Sequence, residues 1–460
     1  MIMKKIVFIV LLSISFLLTS CSAGKVAVSG TALMLHPSRM LAQYNSPYTL
    51  CEKNDDTYSF YIFSSPIQFA DQNGKYHLID NSLVRVKQQP IGRTSYLYTN
   101  KQAQTQCFFG SNLNDCSILL QKEEKQFFFS PEADHSKFQS SAKKRIKNMY
   151  RLKTDCVQYQ YSDRTITCYP SNSGVTSEIV LQQMPKNNTL SFLLQDTPFT
   201  SFTVNSAGYI SFFQSSVLSA NFSFTFASES SGNVCFRPDI QVEALDEDSH
   251  GYRINLDFTK YASELGASLP LTCLTSCDFY ENKIPDSPIF SKVPNENSYL
   301  NDISVLGSHP ELGTSVQYLR FRLNAILKCI PSDVLSASLY IPEILSSGDP
   351  QITMYQAEEE WFSRLLTWST QAEASSAIQH ASPQSGGLEF DITEYVKQCV
   401  SDTEWQTESY GAVLKGGEAE NTYRILASND NMNAIPYVKV DLAFPPVSFT
   451  SPGDNINPQN

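Results

Sequence analysis

Leu335-Ser336-Ala337-Ser338-Leu339-Tyr340-Ile341 sets apolar residues at every second position. A period of two belongs to a strand with one buried face and one wet face. The rhythm recurs on either side. Leu319, Phe321 and Leu323 are expected to point inward while Tyr318, Arg320 and Arg322 point out, and Val438, Val440 and Leu442 close the set. Residues 299–444 therefore read as a β-sandwich, built around Trp361-Phe362-Ser363-Arg364-Leu365-Leu366-Thr367-Trp368.

Working outward, four stretches fall in a recognisable order: Tyr318-Leu319-Arg320-Phe321, then residues 361–368, then Phe390-Asp391-Ile392-Thr393 with a helix after it, then Ile435-Pro436-Tyr437-Val438. Together they resemble the DNRLRE family, a jelly-roll-type module grouped with carbohydrate-binding modules and carried on secreted bacterial proteins. The resemblance implies a jelly-roll β-sandwich over residues 291–445 and a polysaccharide or cell-wall polymer as partner. In the helix, Asp391 or Thr393 can cap the first turn, and Ile392, Val396 and Cys399 return to one face. Asp391 is thus read as a cap, not a catalyst.

The chain opens with Lys4-Lys5, an apolar run over residues 6–18 and Leu18-Thr19-Ser20-Cys21. A basic start, a short apolar run and a small-residue site form an export signal too short to favour a membrane span. The spacing resembles a bacterial lipobox, which implies lipidation of Cys21 and a membrane contact through acyl chains alone. The expected organisation is a signal peptide over 1–20, a tether over 21–46, a β-rich domain over 47–270, a proline-marked linker over 271–290, the sandwich over 291–445 and a disordered tail over 446–460. The fold class is all-β: a C-terminal jelly-roll-type β-sandwich preceded by an N-terminal β-rich domain.

Within the N-terminal part, Gln68-Phe69-Ala70-Asp71-Gln72-Asn73-Gly74-Lys75-Tyr76-His77-Leu78 reads as a hairpin, its Asn-Gly suited to a tight turn. With Ser65-Pro66-Ile67 before it and Ile79-Asp80-Asn81 after it, the stretch resembles the N-terminal region of wall-associated and Rhs-type surface proteins. Lys143, Lys144, Arg145 and Lys147 form a local basic cluster, read as a solvated helix or loop.

Aromatic residues make up 12% of the chain and charged ones only 17%, a balance that suits an exported β protein. A formal charge of −12 without a dominant basic patch excludes nucleic acid as the expected partner. Besides Cys21 there are Cys51, Cys107, Cys116, Cys156, Cys168, Cys235, Cys273, Cys277, Cys329 and Cys399. Disulfides and buried thiols are both open, with Cys107/Cys116 and Cys156/Cys168 spaced to staple hairpins. Cys273 and Cys277 lack the further ligands that a zinc site needs. Calcium held by carboxylates and carbonyls, as a structural ion, stays open with no ligands assigned. There is no Gly-x-Ser-x-Gly elbow, phosphate loop or His-Glu-x-x-His helix, so a non-enzymatic protein is expected. Glu358 and Glu360 would share a strand face and are read as a solvated strand end.

Sugar rings stack on exposed aromatics beside polar groups. Trp361, Trp368, Tyr355 and Tyr423 are the candidates for such a platform. Trp361 and Trp368 are seven residues apart and would face opposite ways on one uninterrupted strand. Their place in the family framework favours structural roles for both. Three functions compete: a cell-surface lipoprotein that binds polysaccharide without catalysis, a stalk or assembly component with a surface-protein partner, and a glycan hydrolase. The first predicts an exposed aromatic platform, the second an exposed apolar or edge-strand surface, the third two carboxylates facing across a cleft.

Overall fold

The computed structural model describes residues 25–446, apart from residues 32, 91–94, 112–117, 133–136, 150–151, 205–208, 230–234, 237, 246–249, 266–267, 281–283, 285, 300, 302, 322, 385, 403–409 and 432. Cys21, the signal peptide, Cys116 and all of the expected tail beyond Pro446 lie outside the described residues, as does the side chain of Cys235.

The all-β expectation is met by two sandwiches. Among the described residues, one sandwich stacks a sheet of eight strands, all within residues 80–257, on a sheet of nine within residues 138–279. Its core forms where strict alternation turns large apolar residues inward on both sheets. From the eight-stranded sheet come Phe127, Phe129 and Phe192; from the nine-stranded sheet come Phe222 and Phe279. Phe192 meets Phe222 with ring centroids 5.1 Å apart, and Phe127 meets Phe279 edge-on at 5.0 Å.

Residues 271–290 are not a linker. Leu271–Phe279 is an interior strand of the nine-stranded sheet, paired with Gly174–Leu181 on one side and Val217–Glu229 on the other. Asp286–Phe290 pairs with Gly313–Leu319. Pro288 is tolerated because its strand has one partner only, so the missing N–H faces away from the ladder. The basic cluster is also re-read: Phe138–Met149 is an edge strand of the nine-stranded sheet. Lys143, Lys144 and Arg145 are exposed there, while Ala142 reaches the core.

The second sandwich is the predicted C-terminal one, with an addition from far upstream. One layer holds Ile303–His309, Gly313–Leu319, Ile352–Ala357, Ala374–His380, Ala412–Gly416 and Tyr423–Ala427. The other holds Gly387–Asp391 and Tyr437–Leu442. Val334–Ser347 serves both: its first part pairs with Tyr437–Leu442, and after a bulge at Glu343/Leu345 its last part pairs with Tyr423–Ala427. Tyr437–Leu442 pairs on its far side with Tyr58–Phe63, which pairs in turn with Thr49–Lys53. Residues 49–63, read as part of the N-terminal domain, thus complete the C-terminal sheet. Phe60 and Ile62 join Leu339, Val438, Val440, Met354 and Leu414 in one core.

Residues 25–46 are no free tether. Val26–Ala27 and Met34–Leu35 make a short hairpin, and Val28 and Leu35 are buried against Leu50, Phe63, Ile67 and Ile435. The hairpin over residues 68–78 forms as read, with Gly74 at φ 75° in a turn closed by Asp71. The helix Thr393–Ser401 buries Val396, Cys399 and Val400, and Asp391 accepts the Thr393 N–H at 2.9 Å. Among the described residues, no helix is long and apolar enough to cross a membrane.

Two alternation readings change. Leu335 is half exposed because a bulge between Val334 and Ser336 shifts the phase, leaving Val334 to fill the core. Tyr318, expected to face solvent, is buried because the outer face of its sheet is itself covered.

Candidate functional site

That covered face carries the candidate site. Cross-strand partners share a face of a sheet. The registers Tyr355↔Val413↔Tyr318 and Thr353↔Lys415↔Val316↔Ile289 therefore lay two rows on the side away from the main core. Residues 358–373 fold over the first row and bury Trp361 and Leu366 against Tyr318, Val413 and Ala357.

Trp361 is the peg of this covering segment. Its ring meets Tyr318 edge-on, with centroids 5.5 Å apart, and its Nε1–H donates to the Tyr410 carbonyl at 2.5 Å. The Arg320 guanidinium lies 5.2 Å from the ring centroid, and its Nη2 donates to the Trp361 carbonyl at 3.0 Å. Burial pushes the Tyr318 hydroxyl up to about 12, with the Glu359 charge adding to it, and that hydroxyl donates to Ala372 O. Burial also works against the charge on Arg320, lowering its pKa.

Further along, Asn297 Nδ2 donates to the carbonyls of Ser363 and Leu366, and the Ser369 N–H donates to Pro294 O at 2.8 Å. Thr367 and Thr370 exchange side-chain bonds around the single turn Trp368–Thr370. Residues 363–365 turn the chain between the two tryptophans, the Leu365 and Leu366 N–H groups both donating to the Phe362 carbonyl, so the opposite-face argument for one uninterrupted strand does not apply.

What is left toward solvent is a rigidly held rim. Phe362 is 44% exposed and Leu365 71% exposed at the tip of the segment. Arg364 stands beside them, 6.0 Å from the Tyr299 ring centroid. Trp368 is half-buried and packs on the same apolar cluster as Tyr355. Lys415 Nζ lies 5.0 Å from the Tyr355 ring centroid, and Thr353 Oγ1 meets Nδ1 of the exposed His380 at 2.9 Å. The face thus presents aromatic and apolar surface beside imidazole and ammonium groups, with the buried Thr353 hydroxyl holding His380. Residues 296–441 match carbohydrate-binding module family 96.

The C-terminal sandwich is therefore carbohydrate-binding-module-like. No curated protein matches the chain. Of the four aromatic candidates, Tyr355 and Trp368 lie on the module's partly open face. Trp361 is core, in the structural role that its framework position favoured. Tyr423 is also core, only 1% exposed with its ring 4.5 Å from that of His309, so it cannot stack on a sugar. Lys415 and His380 escaped sequence reading because only strand register places them beside Tyr355, while Thr353 shares Tyr355's strand and face but was not singled out. Phe362 and Leu365 stood in the quoted stretch, but nothing there distinguished them from Trp361 and Leu366.

Glu358, Glu359 and Glu360 lie beyond the end of strand Ile352–Ala357, exposed, with Glu359 Oε2 accepting the Glu373 N–H at 3.2 Å. Among the described residues, no cluster of His, Cys, Asp and Glu is arranged to hold a metal. Cys273 and Cys277 are free, buried thiols on an interior strand.

Proposed function

We propose that the protein is a non-catalytic polysaccharide-binding protein whose ligand lies on the module face formed by Tyr355 and Trp368, with Phe362 and Leu365 as its apolar rim. The observation that carries this reading is the pairing of half-open aromatics with Lys415, Thr353 and His380 on a sheet of a carbohydrate-binding-module-like sandwich. A pyranose ring offers one apolar face and a belt of hydroxyls, and such a surface suits both. The DNRLRE resemblance agrees with this ligand class. Lys4-Lys5, the apolar run and Cys21 support an exported lipoprotein held at the cell surface by acyl chains, as does the resemblance of residues 65–81 to wall-associated and Rhs-type proteins.

The test is retention of the full chain on a panel of insoluble and immobilised polysaccharides. Tyr355→Ala and Trp368→Ala should each weaken binding to the retained glycan by about threefold to tenfold, from about 0.5–1.5 kcal/mol per aromatic contact, with folding unchanged. Release of reducing ends from that glycan would overturn the non-catalytic reading. A second reading rests on the exposure of Phe362 and Leu365, an apolar pair that also suits a protein partner. It gains if no glycan is retained while Leu365→Asp abolishes capture of a surface protein from the same organism.

A further inference from the structure

The chain builds its C-terminal sandwich around an insertion. Residues 49–63 and residues 286–442 make one sandwich, and the sandwich of residues 80–279 is threaded between them. The two crossing points meet at Asn429: Ser65 Oγ donates to the Asn429 carbonyl at 2.8 Å, and the Asn429 N–H donates to Asp286 Oδ2 at 2.9 Å. The family match over residues 296–441 spans the acceptor strand nearly to its end and excludes the strand that pairs with it.

We propose that the edge of Tyr437–Leu442 is a strand-binding site, filled here by residues 49–63 and able to take that segment from a separate polypeptide. The pairing runs in unbroken register from Tyr437↔Phe63 to Leu442↔Tyr58. The incoming strand is buried on both faces: Phe60 and Ile62 fill the main core, while Tyr61 and Phe63 pack under Ile435 and Tyr437. Tyr-Ser-Phe-Tyr-Ile-Phe is correspondingly apolar nearly throughout, as a two-sided strand must be. Without it, Tyr437–Leu442 would be an edge with free backbone groups and one apolar face of Val438, Val440 and Leu442, the kind of template that captures an extended segment. The occupant is specified by side chains as well as backbone, since the Ser59 hydroxyl donates to Asp441 Oδ1 at 2.6 Å. The covalent path between donor and acceptor runs through the whole inserted sandwich. Association of the two is thus a docking event between distant parts of the chain, which gives the N-terminal segment control over whether the module closes.

The test uses the full chain with a site-specific protease sequence placed between Asn73 and Gly74, both exposed in the hairpin turn. After cleavage under native conditions, the N-terminal fragment should co-elute with the rest of the chain on size exclusion. Release in mild urea and dilution into labelled peptide of residues 25–73 should restore a labelled complex. The same peptide carrying Phe60→Asp and Ile62→Asp should be incorporated at least about tenfold less, because a carboxylate buried in an apolar core is not tolerated. Loss of the fragment on cleavage from a chain that keeps its near-UV circular dichroism would overturn the proposal. So would equal uptake of the two peptides, or failure of the unsubstituted peptide to rebind a chain that refolds when uncut.

Discussion

Tyr318 and Trp361 meet edge-to-face across the outer surface of the module sheet, and their contact fixes where residues 358–373 can lie. Trp361 also links to Tyr410 and Arg320, so removing its side chain leaves a cavity, unpairs the Tyr410 carbonyl and takes the ring from beside the Arg320 guanidinium. Trp361→Ala should destabilise the protein by about 3–5 kcal/mol, the range for truncating a buried large aromatic. Trp361→Phe keeps most of the packing but strands the Tyr410 carbonyl, a loss of about 1–3 kcal/mol. Chemical denaturation of the two variants should rank them in that order. An Ala variant as stable as the parent would show that the segment is not pegged through this ring.

Asp441 makes the closure of the module sensitive to acid. It sits between Ser59 and Ser336 on the two flanking strands and 2.8 Å from Lys439 Nζ. Burial works to raise its pKa, but the Lys439 ammonium and the two hydroxyls outweigh burial and hold it below the ordinary carboxylate value. The folded state therefore favours the charged form. Its contribution is present above the unfolded pKa of about 3.9 and is lost as pH falls through the lower folded value. Asp441→Asn should flatten the fall in stability below about pH 4. Urea midpoints measured from pH 3 to 7 would reveal it, and parallel curves for parent and variant would remove Asp441 from the acid response.

Cys51, Cys107, Cys156, Cys168, Cys273, Cys277, Cys329 and Cys399 are free and buried. Cys156 and Cys168, spaced to staple a hairpin, cannot do so: Val157 faces Cys168 across the ladder, which turns Cys156 to the opposite side of the sheet, against Tyr169. Burial pushes the thiols of Cys51, Cys168, Cys273 and Cys399 up to about 12, and those of Cys156 and Cys329 up to about 11. Folding thus favours the neutral thiols. Stability is untouched below the unfolded pKa of about 8.5 and declines as pH rises from there toward the folded values. At pH 8 these thiols should resist a chromogenic disulfide reagent in the native protein and react fully in guanidinium. Rapid native labelling of any of them would contradict the burial.

How much of this was legible follows from what alternation can carry. It marked the inward residues Ala337, Leu339, Ile341, Val438, Val440 and Leu442 correctly, because one strand's faces are a local property. It misplaced Leu335, where a bulge changes the phase, and Tyr318, because periodicity cannot tell water from a covering loop. Strand partners are not local either. Ser59 and Asp441 are 382 positions apart, and nothing in Tyr58–Phe63 names Tyr437–Leu442 as its neighbour. The prolines at 270 and 288 looked like a linker for the same reason: only the sheet order shows that strand Asp286–Phe290 is an edge that accommodates Pro288. At the site, the aromatic stretch was visible, whereas Lys415 and His380 arrive by register alone.

Asn172 ties the two sandwiches together. It is 3% exposed, accepts from Asn81 Nδ2 at 2.8 Å and Ser29 Oγ at 3.3 Å, and donates to the Pro66 carbonyl at 2.9 Å. Asn81 in turn accepts from Asn100, so the network joins the N-terminal hairpin, the chain entering the inserted sandwich and two of its sheets. A buried network of this kind is costly to break, because each partner left unpaired loses about 1–3 kcal/mol. Asn172→Leu should therefore weaken the contact between the sandwiches more than either core. The parent should unfold in one calorimetric transition, and the variant should separate into two, the inserted sandwich melting apart from the module. A single transition in the variant, merely lowered, would place the coupling elsewhere, in contacts such as Asn433 with Thr176.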